Sequence, residues 1–165
     1  MLEKAVKADY EAVCSLYREA CEGMEQDGLD LWHWGEYPSA EIVEEDIRRG
    51  EMYVVRGEKG LLGCVCVNRT GDPEYAAVPW QFEGEAGLFH RIAVSRAAQG
   101  QGLAGRMLTE VEDILRGMGC TVLRGDVSAA NHKALKLYAR MGMTRPGSFN
   151  PEWGNGMFYA LEKKL

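Results

Sequence analysis

Val94-Ser-Arg-Ala-Ala-Gln99-Gly100-Gln101-Gly102-Leu103-Ala104-Gly105-Arg106-Met107-Leu108 is the stretch on which the reading of this chain turns. Before it runs Leu88-Phe-His-Arg-Ile-Ala-Val94, a strand-like segment. After it, Leu103, Met107, Leu108, Val111, Ile114 and Leu115 recur at helical spacing. Between the two lie Gly100, Gly102 and Gly105. Glycine lets a backbone curl tightly and lets a ligand approach without a Cβ in the way. A helix that starts there aims unpaired N–H groups, and the positive end of its dipole, at whatever lies ahead. The stretch reads as an anion cradle, and phosphate is the usual anion.

The totals set bounds. With 165 residues, 46% apolar and 27% charged, the chain is globular and large enough for one domain, 1–165, with a real core. A net charge of −6 argues against a nucleic-acid partner, since general nucleic-acid binders are basic. The cysteines number five, an odd count, and no secretory leader is evident, so a reducing, cytoplasmic setting is expected. No apolar run reaches membrane-span length, so no membrane partner is expected. Cys64-Val-Cys66 puts two thiols on one strand face, but no second Cys or His pair gives them zinc-ligand spacing. Buried thiols and no metal are the expectation.

Outward from the cradle the chain alternates helices and strands. Leu2 to Lys7 reads as an opening strand, and Asp9 as the N-cap of a helix with Ala12, Val13, Leu16, Tyr17, Ala20 and Met24 on its apolar stripe. Leu31-Trp-His-Trp-Gly-Glu-Tyr-Pro38 is aromatic and irregular; it reads either as a lid on the core or as a wall of an acceptor pocket, with His33 packed between tryptophans. Pro38-Ser39 opens a second helix that Gly50 closes. Met52–Arg56 and Leu61–Asn68 form a hairpin across Gly57-Glu-Lys-Gly60. Residues 74 to 82 resist assignment. Thr121 to Val127 is a strand that the intervening helix should place parallel to Leu88–Val94. Asn131 to Arg140 is a short helix, and 143–149 with 157–165 closes the chain as an antiparallel pair.

The glycines admit two readings. Gly100-x-Gly102-x-x-Gly105 matches the dinucleotide fingerprint, with Asp126 where a ribose-binding acid would fall. That fold opens with its motif, whereas here the motif lies past the middle and follows its strand only after Ser95 to Gln99. A P-loop is excluded because no Gly-Lys-Ser/Thr follows.

The second reading is a family. Val94-x-x-x-x-Gln99-x-x-Gly102-x-Ala104 resembles the Gln/Arg-x-x-Gly-x-Gly/Ala signature of the GNAT superfamily of N-acetyltransferases. Asn131-His-Lys-Ala134-Leu-Lys-Leu-Tyr138-Ala-Arg-Met-Gly142-Met143 is similar to the family's second signature, with Met143 in place of the usual Phe. The resemblance implies a mixed α/β fold: a mostly antiparallel sheet of six to seven strands flanked by about four helices. It implies an acyltransferase of bacterial type that moves the acetyl group of acetyl-CoA directly to a primary amine of a small molecule or peptide. Dimerisation is common on this fold. A non-catalytic acyl-CoA-binding module on the same fold is the alternative.

By the same resemblance, the N–H groups of Gln99, Gly100, Gln101, Gly102, Leu103, Ala104, Gly105 and Arg106 hold the cofactor's pyrophosphate, with the Arg106 charge as an addition. The backbone of Ile92, Ala93 and Val94 pairs with the pantetheine arm, and Asn131 matches a cofactor contact that is equally a helix cap. Tyr138 matches the general acid for the leaving thiolate. His90 alternates with Ile92 and Val94 and has the right kind of side chain for a base, ahead of Glu85. Arg91 faces the other way, as a structural residue. The acceptor pocket is expected from the 31–38 loop, the 72–82 segment and the last hairpin, whose Trp32, Trp34, Tyr37, Tyr75 and Trp80 hint at a cation or an apolar amine.

Overall fold

Alternating apolar residues on short strands and apolar stripes on helices produce the element order of a computed structural model that describes residues 1–152 and 154–165. The order is β1 (Leu2–Lys4), α1 (Tyr10–Gln26), α2 (Ala40–Arg48), β2 (Met52–Gly57), β3 (Gly60–Asn68), β4 (Ala86–Val94), α3 (Leu103–Gly117), β5 (Val122–Ser128), α4 (His132–Arg140), β6 (Ser148–Phe149) and β7 (Phe158–Lys164). Short 3₁₀ turns occupy Lys7–Asp9, Pro73–Ala77 and Arg96–Ala98. The strands form a mostly antiparallel seven-stranded sheet in the order β1-β2-β3-β4-β5-β7-β6. The chain divides into two compact units, residues 1–67 with 91–110, and residues 68–90 with 111–165.

In the first unit, β1, β2 and β3 are antiparallel, with Val54 opposite Cys64 and Met52 opposite Cys66. Period-two alternation puts these four side chains on one fully buried face. Val13, Leu16 and Tyr17 of α1 and Val43 of α2 close on that core together with Ala93 of β4. Ser39 caps α2, its hydroxyl accepting from Ile42 N at 3.4 Å, and Gly50 follows the helix with φ +68°.

Three expectations for this unit need correction. β1 stops at Lys4, because the chain turns into 3₁₀ at Lys7. Ala12 lies exposed, off the buried stripe. Asp9 makes no side-chain cap for α1; its carboxylate instead accepts from Val6 N at 2.8 Å and from Arg56 at 2.5 and 2.8 Å. Charge-assisted bonds from a guanidinium outcompete a neutral N–H.

In the second unit, β4 runs parallel to β5, with Ala86 opposite Val122 and Leu88 opposite Arg124. β5 pairs antiparallel with β7 from Val122/Lys164 to Ser128/Phe158. The closing pair is shorter than expected on its first side: β6 is only Ser148–Phe149, preceded by an isolated bridge from Thr144 to Glu162. Pro146 has no N–H to donate to a ladder, so pairing cannot run unbroken from Met143. Residues 73–77, left unassigned by their sequence, form a 3₁₀ turn with Pro73 at its start.

Candidate active site

The cradle belongs to the first unit. β4 ends at Val94, the chain makes its 3₁₀ turn at Arg96–Ala98, and α3 begins at Leu103. Gly100 and Gly102 have φ of +75° and +74°, a region that a side chain would strain. The first bond into the helix runs from Arg106 N to Gly102 O at 3.2 Å. The N–H groups of Gly102, Leu103, Ala104 and Gly105 are therefore those that a helix start leaves without an intrahelical acceptor. Side chains brace the turn from behind. Gln99 Nε2 donates to Val94 O at 3.2 Å, Gln101 Nε2 to Ala97 O at 2.8 Å, and Arg106 Nη1 to Gln101 O at 2.8 Å. Gln99, Gly100, Gln101, Gly102 and Arg106 are exposed, Ala104 and Gly105 half-buried, and Leu103 is buried as the helix's first core residue. Just upstream, Ala93 is in the core while Ile92 and Val94 are half-buried.

The proposed chemistry-bearing side chains belong to the second unit. Tyr138 of α4 is 5% exposed, its ring 5.5 Å from that of Phe89 on β4. Burial first, and the Asp126 carboxylate second, push the Tyr138 phenol well above its ordinary value. His90 is half-buried, with Nε2 3.1 Å from Asn68 Oδ1. Glu85 is exposed and ion-paired with Arg69. Asn131 is the N-cap of α4, its Oδ1 accepting from Ala134 N at 3.1 Å.

A cavity of about 370 Å³ opens in this second unit, lined by Arg69, Gly71, Tyr75, Ala76, Trp80, Ala86, Leu88 and Arg124. Ala86 and Leu88 share a strand face with His90. The buried Tyr75 donates its hydroxyl to Asp126 Oδ2 at 2.6 Å, which is the structural use of the acid that resembled a ribose ligand. Arg124 lies 4.3 Å from the Trp80 ring and pairs with the fully buried Glu162 at 3.3 Å. Glu162 in turn accepts from the N–H groups of Gln81 and Phe82, which pins the 79–82 segment to β7.

Arg69 and Arg124 escaped the sequence reading, and Asp126 entered it only as a possible ribose ligand. The signal that Arg124 and Asp126 share a face was their alternation on β5.

The aromatic residues of the expected pocket divide between the units. In the first, Trp32 packs between Tyr17 and Tyr37 at 5.9 and 6.3 Å, and Arg18 stacks on Trp34 at 4.8 Å. His33 is not packed between the tryptophans as expected; it is exposed and lies 2.6 Å from Asp30. A turn bridged from His33 to Tyr37 carries it outward.

Arg91 is structural. Its Nη2 lies 2.6 Å from Asp46 Oδ2 in a pair about 90% buried on both sides, and its Nη1 donates to Tyr37 at 3.2 Å. Its backbone carbonyl accepts from Tyr17 at 2.9 Å. Its φ of +50° makes it the one non-glycine in the left-handed region among the described residues. Asp46, Glu51 and Cys66 bring ligand-type atoms within 4.8 Å of one another, but the Arg91 guanidinium already supplies the positive charge there. Burial raises the Cys66 thiol and pushes Cys64 up to about 12, so neither offers a thiolate. All five cysteines are buried and none is in a disulfide.

The chain is similar to known proteins. A model of the "Acetyltransferase (GNAT) family" matches residues 10–143. The uncharacterized N-acetyltransferase YesJ of Bacillus subtilis (strain 168) is 28% identical over 142 residues, covering 84% of this chain and 78% of YesJ. A GNAT-family acetyltransferase structure from Streptococcus agalactiae 2603 superposes with a TM-score of 0.86 at 22% identity, covering 100% of this chain and 95% of that one. A chain of the NatC complex bound to Gag peptide and CoA has the same fold, with a TM-score of 0.70 at 16% identity and coverage of 100% and 98%.

Proposed function

Since the chain belongs to the acetyltransferase (GNAT) family, a family that uses acetyl-CoA, we propose that it moves the acetyl group directly to a primary amine of a small molecule or peptide. In that reaction the amine nitrogen bonds to the acetyl carbon, the carbon–sulfur bond breaks, the amine gives up one proton, and the departing sulfur takes one.

The observation that carries the reading is the turn from β4 into α3. Four N–H groups stand at a helix start behind two glycines of positive φ, where a Cβ would crowd an incoming phosphate. These groups, with the Arg106 guanidinium across the turn, are the pyrophosphate holders. The backbone of Ile92–Val94 is the edge for the pantetheine arm. Asn131 acts as a cap first and as a contact second.

Tyr138 is the donor to the leaving sulfur. A phenol is protonated at neutral pH, the state that a donor needs, and burial reinforces this by raising its pKa further. The same shift makes full loss of the proton costly, so its main contribution is a hydrogen bond to the developing thiolate. His90 is the base, held by Asn68, and accepts the amine proton directly or through water. Glu85 is the weaker candidate, because its carboxylate is exposed and engaged with Arg69.

Release of free CoA thiol from acetyl-CoA, measured against a panel of amines with a no-amine control, tests this. Amine-dependent release is the expected result. Tight acetyl-CoA binding without release on any amine would leave the non-catalytic module in its place.

A further inference from the structure

The cavity in the second unit has a one-sided chemistry. Its charged lining consists of two guanidiniums, Arg69 and Arg124, and no carboxylate lines it. Neither arginine is saturated. Arg69 spends Nη2 on Glu85, and Arg124 spends Nε and Nη2 on Glu162 and on Phe82 O. Nη1 of each makes no hydrogen bond among the described residues. The Arg69–Glu85 pair is solvent-exposed, with side chains 45% and 68% accessible. Such pairs are worth little and yield readily to a better-placed anion. Arg124, by contrast, is fixed between the Trp80 ring and the buried Glu162, so its remaining edge is presented in one orientation.

The aromatic lining does not make a cation cage. Trp80 offers a face to a cation, and Arg124 already occupies it at 4.3 Å. Both guanidiniums bring N–H donors to the lining, and no acceptor carboxylate joins them there, which suits an anion better than a polycation. Toward the chemistry the sign reverses. Tyr75, which lines the cavity, donates to Asp126, and Leu88 precedes His90 by two residues on one strand face. Ala76, Ala86 and Leu88 supply an apolar part of the lining. A volume of about 370 Å³ is at the small end of ligand pockets.

Resting on the acetyltransferase reading, we propose that the acceptor is a free α-amino acid with an apolar side chain. Its carboxylate docks on Arg69 and Arg124, its side chain lies on Leu88, Ala76 and Ala86, and its amine points toward Asp126 and His90. Guanidinium–carboxylate recognition supplies the selectivity, since planar donors match the carboxylate edge.

The test compares leucine, leucinamide and spermidine as acceptors in the CoA-release assay, with wild type and with Arg69→Gln and Arg69→Lys. Leucinamide keeps the amine and the side chain and removes only the negative charge. Leucine is expected to be preferred over leucinamide by roughly 10- to 100-fold in kcat/KM, through KM. Arg69→Gln should collapse that ratio toward one, and Arg69→Lys should restore part of it. Arg69 is exposed, so folding of these variants is not at issue. Leucine binding, followed by the shift in melting temperature with and without Arg69→Gln, separates the two layers. Binding that depends on Arg69 without turnover upholds the amino-acid site and sinks the transferase reading. Turnover of spermidine or leucinamide equal to or better than leucine, with a ratio insensitive to Arg69→Gln, overturns the amino-acid site and leaves the transferase standing. Absence of both leucine binding and leucine turnover overturns the amino-acid site, and release on the wider amine panel then decides the transferase reading by itself.

Discussion

Burial and the Asp126 carboxylate both oppose loss of the Tyr138 proton, so the role proposed for this side chain depends on its hydroxyl and not on its ring. Tyr138→Phe keeps the packing on Phe89 and removes the donor. It should lower kcat about 100-fold or more with little change in the KM for acetyl-CoA, by CoA-release kinetics. An unchanged kcat would remove Tyr138 from the chemistry. Asp9 gives a prediction for stability. The Arg56 guanidinium, with help from Val6 N–H, holds its carboxyl below the ordinary value of 3.8. A depressed folded-state value means stability that is present above the unfolded-state value and lost as pH falls through the lower folded one. Asp9→Asn should therefore melt a few degrees lower at pH 7, and its melting temperature should fall less than wild type's on acidification below about pH 4. The resemblance to the family signatures singled out Tyr138 and Asn131, and the spacing of the glycines marked the turn that follows β4. Neither revealed that Arg91 sits at φ +50°, because nothing in an arginine's identity marks a left-handed residue; the contacts of Tyr17, Tyr37 and Asp46 hold it there.

Elements were read best where period and punctuation agreed. The helix from Leu103 carries an unbroken apolar stripe after its glycines, and Ser39 and Asn131 both sit one residue before a helix and cap it. Reading failed where a distant partner decided. Arg56 diverted Asp9 from its cap, Pro146 shortened the last hairpin, and the 79–82 segment took its course from Glu162 on β7. Residues 124 and 69 meet at one cavity only because the strand order brings them there. Asn131→Ala should cost about 1 kcal/mol of stability through loss of the α4 cap, read from urea unfolding, while Asn131→Ser should recover most of it. If the cap is its main role, the KM for acetyl-CoA stays within about twofold in both variants. Gly63 on β3 is the tighter case. A Cβ there would lie 2.8 Å from Met107 Sδ and 3.0 Å from the Ala93 carbonyl oxygen. A side chain can yield but a backbone oxygen on β4 cannot. Gly63→Ala should cost about 1–3 kcal/mol and weaken acetyl-CoA binding, because it displaces the strand proposed to pair with the pantetheine arm. Calorimetry of acetyl-CoA binding checks the second effect.

At the scale of the molecule, the cysteines report on how the chain opens. Cys14, Cys21, Cys64 and Cys66 fall in the first unit, with the cradle, and Cys120 in the second. All are buried, and Cys64 is held near 12, so a thiol reagent reaches them only through unfolding and not through thiolate chemistry in the native state. Acetyl-CoA binds the folded cradle and not the open chain, so at about 100 times its Kd it should stabilise by about 2.7 kcal/mol and slow labelling roughly 100-fold. The four thiols of the first unit must share that protection. Cys120 discriminates between two modes of opening. β4 is a single strand whose residues 86–90 belong to one unit and 91–94 to the other. Opening either part breaks the same strand, so Cys120 should slow to the same degree as the rest. Mass spectrometry of labelled peptides over time reads each site separately. Protection of Cys14, Cys21, Cys64 and Cys66 with Cys120 unaffected would mean that the second unit, with Tyr138 and His90, opens while the cradle stays folded. Chemistry and cofactor binding would then have separate stabilities, and a variant could lose transfer by local opening with its affinity for acetyl-CoA intact.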